Sequence, residues 1–136
     1  MDETPTGNGR AITFEFEPIV RMTSTYIENG TDSLAELYKM AEGGIFIDSY
    51  RYGTGSSLFS IAPKRAFRVR DGKLAEPVRV NVISGNVFET LLNIEAIAND
   101  YHLLHSALGG CGKMQQMPLP VSDGGPTILV KDMQVS

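Results

Sequence analysis

Hydrophobic and polar positions alternate along much of this chain with the period of a β-strand. Residues 12–17 place apolar side chains between charged ones, which is the pattern of a half-buried strand. Residues 18–27 are rich in β-branched and aromatic side chains and predict a second extended segment. Further strands are predicted over 45–52, 58–62 and 127–135. Two segments rich in turn-forming residues predict loops, 52–57 and 118–126.

Two stretches have the spacing of a helix instead. Ser33 and Glu36 form the S-x-x-E pattern of a capping box, which satisfies orphan amide donors in the first turn. Apolar side chains follow at helical spacing over 34–41, and Gly43 and Gly44 end the helix. A second helix is predicted over 87–98 from an apolar stripe at Val87, Leu91, Ile94 and Ala98.

Asp71 and Gly72 predict the tip of a β-hairpin, because this pair tolerates the positive φ angles of a type I′ turn. Alternating valine and arginine residues flank it over 66–70 and 77–82. About seven strands and two helices are predicted, without the regular strand–helix alternation of a doubly wound sheet. We therefore predict an α+β fold, with a mostly antiparallel, curved or barrel-like β-sheet and two helices packed on it.

Length and charge narrow the class of protein. A chain of 136 residues predicts one domain over 1–136, of which the polar, turn-rich residues 1–10 are expected to be flexible. The net charge of −4 argues against nucleic acid as the main partner, because phosphate binding needs a basic face. No apolar run approaches the roughly 20 residues of a membrane span, so we expect no membrane partner and a cytoplasmic location.

The chain has a single cysteine, Cys111, which lies between glycines and is followed by Lys113. Glycine neighbours predict an open loop that leaves the sulfur uncovered, and a nearby lysine favours the thiolate. A lone cysteine has no spacing partner to test and forms no intrachain disulfide. The residues alone therefore leave two interpretations open, a functional thiol and an incidental loop cysteine.

Other candidate sites are weaker. His102 and His105 could join Cys111 in a local zinc site, but this count falls short of a closed four-ligand site and the spacing fits no defensible pattern. Solvent-facing or capping histidines are the simpler interpretation. Five basic residues make the predicted hairpin locally positive, and we interpret them as a solvated strand face: Lys64, Arg65, Arg68, Arg70 and Arg79.

A series of short motifs runs from Thr6 to about Val135. They are Thr6-Gly7-Asn8-Gly9-Arg10, residues 18–26, Gly72-Lys73 with Glu76-Pro77-Val78, Ile83-Ser84-Gly85-Asn86, Asn99-Asp100, Cys111-Gly112-Lys113 with Gln116, and Gly125-Pro126-Thr127. Each motif is weak alone. In this order they resemble the C-terminal region of the TldD/PmbA family, metallopeptidases once labelled modulators of DNA gyrase.

The resemblance implies a zinc site that this region completes. In the family, an upstream H-E-x-x-x-H helix binds zinc through its two histidines, and its glutamate is the general base. Cys111 matches the third protein ligand, which points to the catalytic TldD-like type because PmbA-like partners lack the zinc ligands. Three protein ligands plus water is the open arrangement of a catalytic zinc site. Four further residues are assigned to the substrate side of this loop: Gly110, Gly112, Lys113 and Gln116.

The H-E-x-x-x-H motif is absent from this chain, so no catalytic residue is assigned to it. We expect zinc in the complete enzyme and none bound by this chain alone. The implied function is the C-terminal domain of a TldD-like zinc metallopeptidase for short or unfolded peptides, contributing the cysteine ligand and part of the substrate channel. The alternative is a non-catalytic peptide-binding or subunit-assembly module. Expected partners are a peptide substrate, the region or subunit that bears the H-E-x-x-x-H helix, and a homo- or heterodimer partner.

Overall fold

The computed structural model describes residues 4–136, apart from the side chains of residues 106–109. In chain order the described elements are β1 (Gly9–Arg10), β2 (Ile19–Val20), β3 (Ser24–Tyr26), α1 (Leu34–Met40), β4 (Ile45–Gly55), β5 (Leu58–Arg70), β6 (Lys73–Pro77), β7 (Ile83–Asn86), α2 (Val87–Leu92), β8 (Ile94–Ile97), β9 (His102–Lys113), β10 (Gln116–Gly125), β11 (Ile128–Val130) and β12 (Gln134–Val135). They fall into two compact units, Met1–Glu28 with Tyr101–Gly125, and Asn29–Asp100 with Pro126–Ser136.

The first unit is built on the long hairpin of β9 and β10. These strands pair antiparallel, with Gln116 opposite Lys113 and Leu119 opposite Cys111. β3 adds to β10 in parallel, and β1 pairs with β2 separately. Bulges interrupt the β9–β10 register on both sides of Leu119, and such bulges locally bend and twist a strand.

Several predictions for this unit were wrong. Residues 12–17 form no strand: the amide of Phe16 turns back to the carbonyl of Thr13 at 3.3 Å, and Phe14 is almost fully exposed. The predicted loop around Cys111 is the end of β9, and the predicted loop 118–126 is largely β10. Glycine and proline favour turns in these segments, but β9 and β10 pair along their length and form strands. Bulges on both sides of Leu119 accommodate the residues that do not fit a regular strand.

The second unit contains both helices and a mostly antiparallel sheet. Its strands follow the order β12, β7, β5, β4, with β6 also on β5, while β8 pairs with β11 in a sheet of two. Leu37 of α1, Ala96 and Ala98 are buried together, with Leu129 packed against them. The α+β class, the two helices and the mostly antiparallel pairing are confirmed. No sheet among the described strands closes on itself, so the curved or barrel-like form stays a prediction.

The first helix matches its prediction. The amide of Ser33 donates to the Glu36 carboxylate at 2.7 Å, and the amide of Glu36 donates to the Ser33 hydroxyl at 3.3 Å, so both halves of the capping box are present. The hydroxyl of Ser33 also donates to the Glu36 carboxylate at 2.7 Å. This bond is the main cause that holds the pKa of Glu36 below its usual value, and the bond from the Ser33 amide is the second, because both favour the charged carboxylate.

The hairpin tip is confirmed, but its second strand differs. Asp71 and Gly72 have φ angles of 52° and 65°, as a type I′ turn requires. The strand that follows the turn and pairs with β5 is β6, which begins immediately after Gly72, whereas the sequence predicted it over residues 77–82. The carboxylate of Glu42 also accepts the amides of Asp71 and Gly72, each at 3.1 Å, which adds a tertiary contact to this tip.

The second helix is shorter than predicted. α2 ends at Leu92, the amide of its C-cap residue Asn93 donates to the carbonyls of Glu89 and Thr90, and the chain then enters β8. Of the predicted apolar stripe, Val87 and Leu91 lie in α2. Ile94 pairs with β11 as part of β8, and Ala98 follows β8 and bridges to Asp32.

Two other boundaries also moved. The predicted loop 52–57 is mostly β4, where glycine permits close approach of the partner strand. The predicted strand 127–135 divides into β11 and β12 around Asp132, whose φ is 56°.

Two predictions about the whole chain are only partly addressed. Residues 1–3 of the segment expected to be flexible lie outside the described residues, and Gly9 and Arg10 at its end pair with β2. Both the flexibility of 1–10 and the single domain stay predictions. No helix in the described part of the chain is long and apolar enough to cross a membrane.

Candidate functional site

The sulfur of Cys111 lies near the end of β9 and receives hydrogen bonds from the segment that joins β2 and β3. The Nε of Arg21 donates to Sγ at 3.4 Å, and the backbone amide of Met22 also donates to it. Cys111 is partly exposed. The sulfur is therefore held by two protein donors in a residue that the protein covers only partly.

Arg21 is the residue that organises this site. Its side chain is buried, with 4% of the residue exposed. Besides the sulfur bond, Nη2 donates to the carbonyls of Cys111 at 2.6 Å and Gln116 at 2.9 Å, and Nη1 donates to Gln116 Oε1 at 3.5 Å. Among the described residues no carboxylate forms an ion pair with Arg21. A buried cation without a carboxylate favours a nearby thiolate, because opposite charges attract strongly at low dielectric.

The surroundings of Cys111 lower the pKa of its thiol. The hydrogen bond from Arg21 is the main cause, the bond from the Met22 amide is the second, and partial burial opposes both. The positive charge of Lys113 is the smallest contribution. The sequence had pointed to Lys113 as the group that favours the thiolate, and in the structure the hydrogen bond from Arg21 is the largest contribution instead. The Lys113 ammonium donates to the carbonyl of Val20 at 2.9 Å.

Gln116 supports the same hairpin from inside. It is buried, and its Oε1 accepts the amide of Ile12 at 3.0 Å while its Nε2 donates to the carbonyl of Glu17 at 3.0 Å. Together with the Arg21 bonds, these contacts tie residues 12–17 to the start of β10. Because the side chain of Gln116 accepts the Ile12 amide, that amide needs no partner in a neighbouring strand.

The two glycines beside Cys111 differ in what they require. Gly110 has a φ of 134°, and a Cβ there would run into the carbonyl oxygen of Leu119 on β10. At Gly112 a Cβ would meet only the flexible side chain of Met117, about 3.0–3.3 Å away. Gly110 therefore permits the bulged approach of β10 beside Cys111, and Gly112 has no comparable backbone requirement. The assigned substrate-side roles of Gly110, Gly112, Lys113 and Gln116 stay predictions.

The histidines do not join Cys111 in a local cluster. His105 Nδ1 lies 2.7 Å from the hydroxyl of Ser122, its partner on β10, and His102 pairs with Gly125 farther along the hairpin. The described side chains contain no group of three His, Cys, Asp or Glu residues that could hold a metal ion.

Cys111 itself fits the chemistry of a metal ligand. A thiolate, not a thiol, coordinates zinc, and the donors around Sγ stabilise the thiolate. One thiolate supplies one ligand, so a metal held here needs further ligands from outside the described residues. The sequence does not reveal the role of Arg21, because Arg21 lies 90 positions from Cys111 and no local spacing connects the two.

Comparisons with known proteins agree on one family. Residues 1–136 match the model of the PmbA/TldA metallopeptidase C-terminal domain. A metalloprotease of Synechocystis sp. is 43% identical over 136 residues, covering 99% of this chain and 29% of the relative. A zinc metalloprotease TldD homolog of Saccharolobus solfataricus is 36% identical over 137 residues, covering 99% of this chain and 30% of the relative.

A solved structure shares the fold. TldE from Thermococcus kodakarensis superposes with a TM-score of 0.71 at 20% identity, over 96% of this chain and 27% of that one. The chain thus spans less than a third of the length of these relatives. The match over its whole length shows that the chain belongs to the PmbA/TldA (TldD/PmbA) metallopeptidase family, as its C-terminal domain.

Proposed function

We propose that this chain is the ligand-donating domain of a TldD-like zinc metallopeptidase that acts on short or unfolded peptides. Cys111 is the zinc ligand that this domain contributes, and an H-E-x-x-x-H region elsewhere in the complete enzyme contributes two histidines and the general base. The observation that carries the proposal is the contact between buried Arg21 and the Cys111 sulfur, 3.4 Å from Nε to Sγ. An incidental cysteine has no need of a dedicated buried cation.

The residues of this chain would act mainly by positioning. Arg21 fixes both the sulfur and the carbonyl of Cys111, and Gln116 holds Arg21 against the opposite strand. Zinc held here would supply an acidified water and polarise the scissile carbonyl. Lys113, anchored to the carbonyl of Val20, and the glycines beside Cys111 would line the approach of the peptide. A homo- or heterodimer, a cytoplasmic location and a single domain over 1–136 belong to this proposal.

The test uses this chain joined to an H-E-x-x-x-H-bearing region of a relative. We expect stoichiometric zinc and chelator-sensitive cleavage of a short unstructured peptide, both lost in Cys111→Ala. His105→Ala is the matched control, because His105 contacts Ser122 and lies outside the Cys111 contacts, so zinc and activity should persist. Full zinc and full activity in Cys111→Ala would refute the assignment of the sulfur.

A second candidate function rests on the edge of β9. Among the described strands β9 pairs only with β10, so its other edge is available to an added strand. A non-catalytic module of the same family would bind an extended peptide or a partner subunit there through main-chain hydrogen bonds. Binding of a fluorescent peptide to the metal-free chain, unchanged in Cys111→Ala, would favour this function over the peptidase domain.

A further inference from the structure

The basic residues of the second unit fall into two groups. Three of the five that the sequence placed on a solvated face are engaged: Arg65 pairs with Asp48, Arg70 with Glu76 at 3.0 Å, and Arg68 donates to the carbonyl of Gly43 at 3.1 Å. The remaining two, Lys64 and Arg79, form no ion pair within the described residues. Four of the five are exposed and Arg68 is half-buried, which agrees with a solvated face, but in the described part of the chain only Arg65 and Arg70 form ion pairs.

Lys64 and Arg79 line the same cleft, and Arg51 joins them there. Arg51 comes from β4 and Lys64 from the neighbouring β5, whereas Arg79 lies in the segment between β6 and β7. The cleft has a volume of about 550 Å³. Sites for small molecules have volumes of about 300–1,000 Å³, so this cleft has room for a small ligand.

The lining of this cleft is one-sided in charge. Its cations are accompanied by no aspartate or glutamate, although acidic residues outnumber basic ones in the chain, 16 to 12. Ala62 and Ala66 lie buried in its wall and provide an apolar surface between the charges. All three cations are exposed. Like charges that share one concave surface raise its positive potential even where salt partly screens them, and an anion relieves their repulsion.

Arg79 is held in a way that leaves its outer donors free. Its Nε donates to Asn81 Oδ1 at 3.2 Å, and no other hydrogen bond of this guanidinium forms within the described residues. The backbone of this wall is fixed as well, since the amides of Asn81 and Val82 donate to the backbone oxygen of Ser136 at 2.7 and 3.1 Å. A guanidinium fixed by one nitrogen presents the others for bidentate contact with an oxyanion.

We infer that this cleft binds a small ligand that carries two or more oxyanion groups, phosphate or carboxylate, through Arg51, Lys64 and Arg79. Tyr52 and Asn81, whose side chains are polar and neutral, also line this cleft. The site is independent of Cys111 and of zinc, so it adds a binding function to the proposed peptidase role.

The test is calorimetric titration of the 136-residue chain with inorganic pyrophosphate and, separately, with citrate. We expect binding of one ligand per chain that weakens as salt is added. Tighter binding of pyrophosphate assigns the site to phosphates, and tighter binding of citrate assigns it to carboxylates. Absence of binding by both ligands at low salt would overturn the inference.

Substitutions distinguish specific binding in the cleft from general attraction of the anion to the basic residues of the chain. Arg79→Gln and Lys64→Gln should each weaken binding by roughly tenfold, the effect of losing one charged hydrogen bond. Lys73→Gln is the matched control, because it makes the same change in net charge at an exposed position of β6 that does not line the cleft. Equal weakening in all three variants would show attraction to net charge only. In the parent chain, the backbone amide chemical shifts of Asn81 and Val82 should move on titration, which would place the ligand in this cleft. The amide spectra of the variants without ligand show that the variants are folded.

Discussion

Arg21 and Cys111 lie 90 positions apart in the chain, and their side chains meet with Nε 3.4 Å from Sγ. The same guanidinium also binds the carbonyl of Cys111 at 2.6 Å, so one rigid planar group sets both the side chain and the backbone of that residue. Because the guanidinium is buried, water does not compete effectively for these bonds.

Replacing Arg21 should slow the chemistry of the Cys111 sulfur. In Arg21→Met the main cause of the lowered pKa is gone, so the pKa of Cys111 rises toward its usual value. At neutral pH the rate of alkylation by iodoacetamide should fall, because the thiolate fraction falls by more than the greater nucleophilicity of a more basic thiolate restores. Alkylation rates measured against pH in the folded protein give both pKa values.

Lys113→Ala is the control for this prediction, since Lys113 is the smallest cause of the shift. Its alkylation profile should move much less than that of Arg21→Met. A larger shift in Lys113→Ala would show that the nearby lysine, and not the buried arginine, governs the thiol.

The lowered pKa of Cys111 also predicts how stability depends on pH. A group whose pKa is lower in the folded state contributes stability above its unfolded pKa, and this contribution is lost as pH falls through the folded pKa. The free energy of unfolding of the parent chain, minus that of Cys111→Ser, should therefore increase with pH across this window. Denaturant titrations at a series of pH values measure the difference, and a difference that falls with pH would contradict the direction of the shift.

Features formed by residues close together in the sequence could be predicted from it, and features formed by distant residues could not. The capping box of α1 joins Ser33 and Glu36, three positions apart, and its pattern is visible without a partner strand. The turn at Asp71 and Gly72 is equally local. Both predictions are confirmed because local geometry alone is enough to form them.

The site around Cys111 depends on long-range pairing, which local patterns do not reveal. Glycine on both sides of Cys111 predicted an open loop, but the cross-strand pairing of Leu119 with Cys111 makes this segment a strand. Gln116 is bonded to Ile12, 104 positions away. The family resemblance named the residue, and only the fold identified the groups that hold it.

Gln116→Ala should destabilise the first unit. The change removes the acceptor of the Ile12 amide and the donor to the Glu17 carbonyl, and it also removes one acceptor of Arg21. Leaving buried polar groups unsatisfied costs about 1–3 kcal/mol, so the free energy of unfolding should fall by that amount. Gln115→Ala, at the exposed neighbouring position, should change it by less than about 0.5 kcal/mol. Equal effects in urea titrations of the two variants would show that the buried contacts of Gln116 contribute little.

Ser33→Ala should destabilise the second unit by about 1 kcal/mol, the usual cost of losing an N-cap. The same change should raise the pKa of Glu36 toward its ordinary value, because the bonds to Ser33 are the main causes of its lowering. Carboxyl chemical shifts followed by NMR against pH measure this second effect. Ser33→Asp is the control, since aspartate also accepts from the first turn and should retain the helix. A stable Ser33→Ala variant with an unchanged Glu36 pKa would contradict the role of the capping box.

The glycines on either side of Cys111 allow a matched test of backbone geometry. Gly110→Ala places a Cβ against the carbonyl of Leu119 at a φ of 134°, and strain of this kind costs on the order of 1–3 kcal/mol. Gly112→Ala meets only the Met117 side chain, which can move aside, so its effect should stay below about 1 kcal/mol. Urea unfolding of both variants measures the difference, and alkylation of Cys111 reports whether the sulfur keeps its contact with Arg21. If Gly112→Ala proved the more damaging change, the bulge at Leu119 would not be what positions the cysteine, because Gly110 alone permits that close approach.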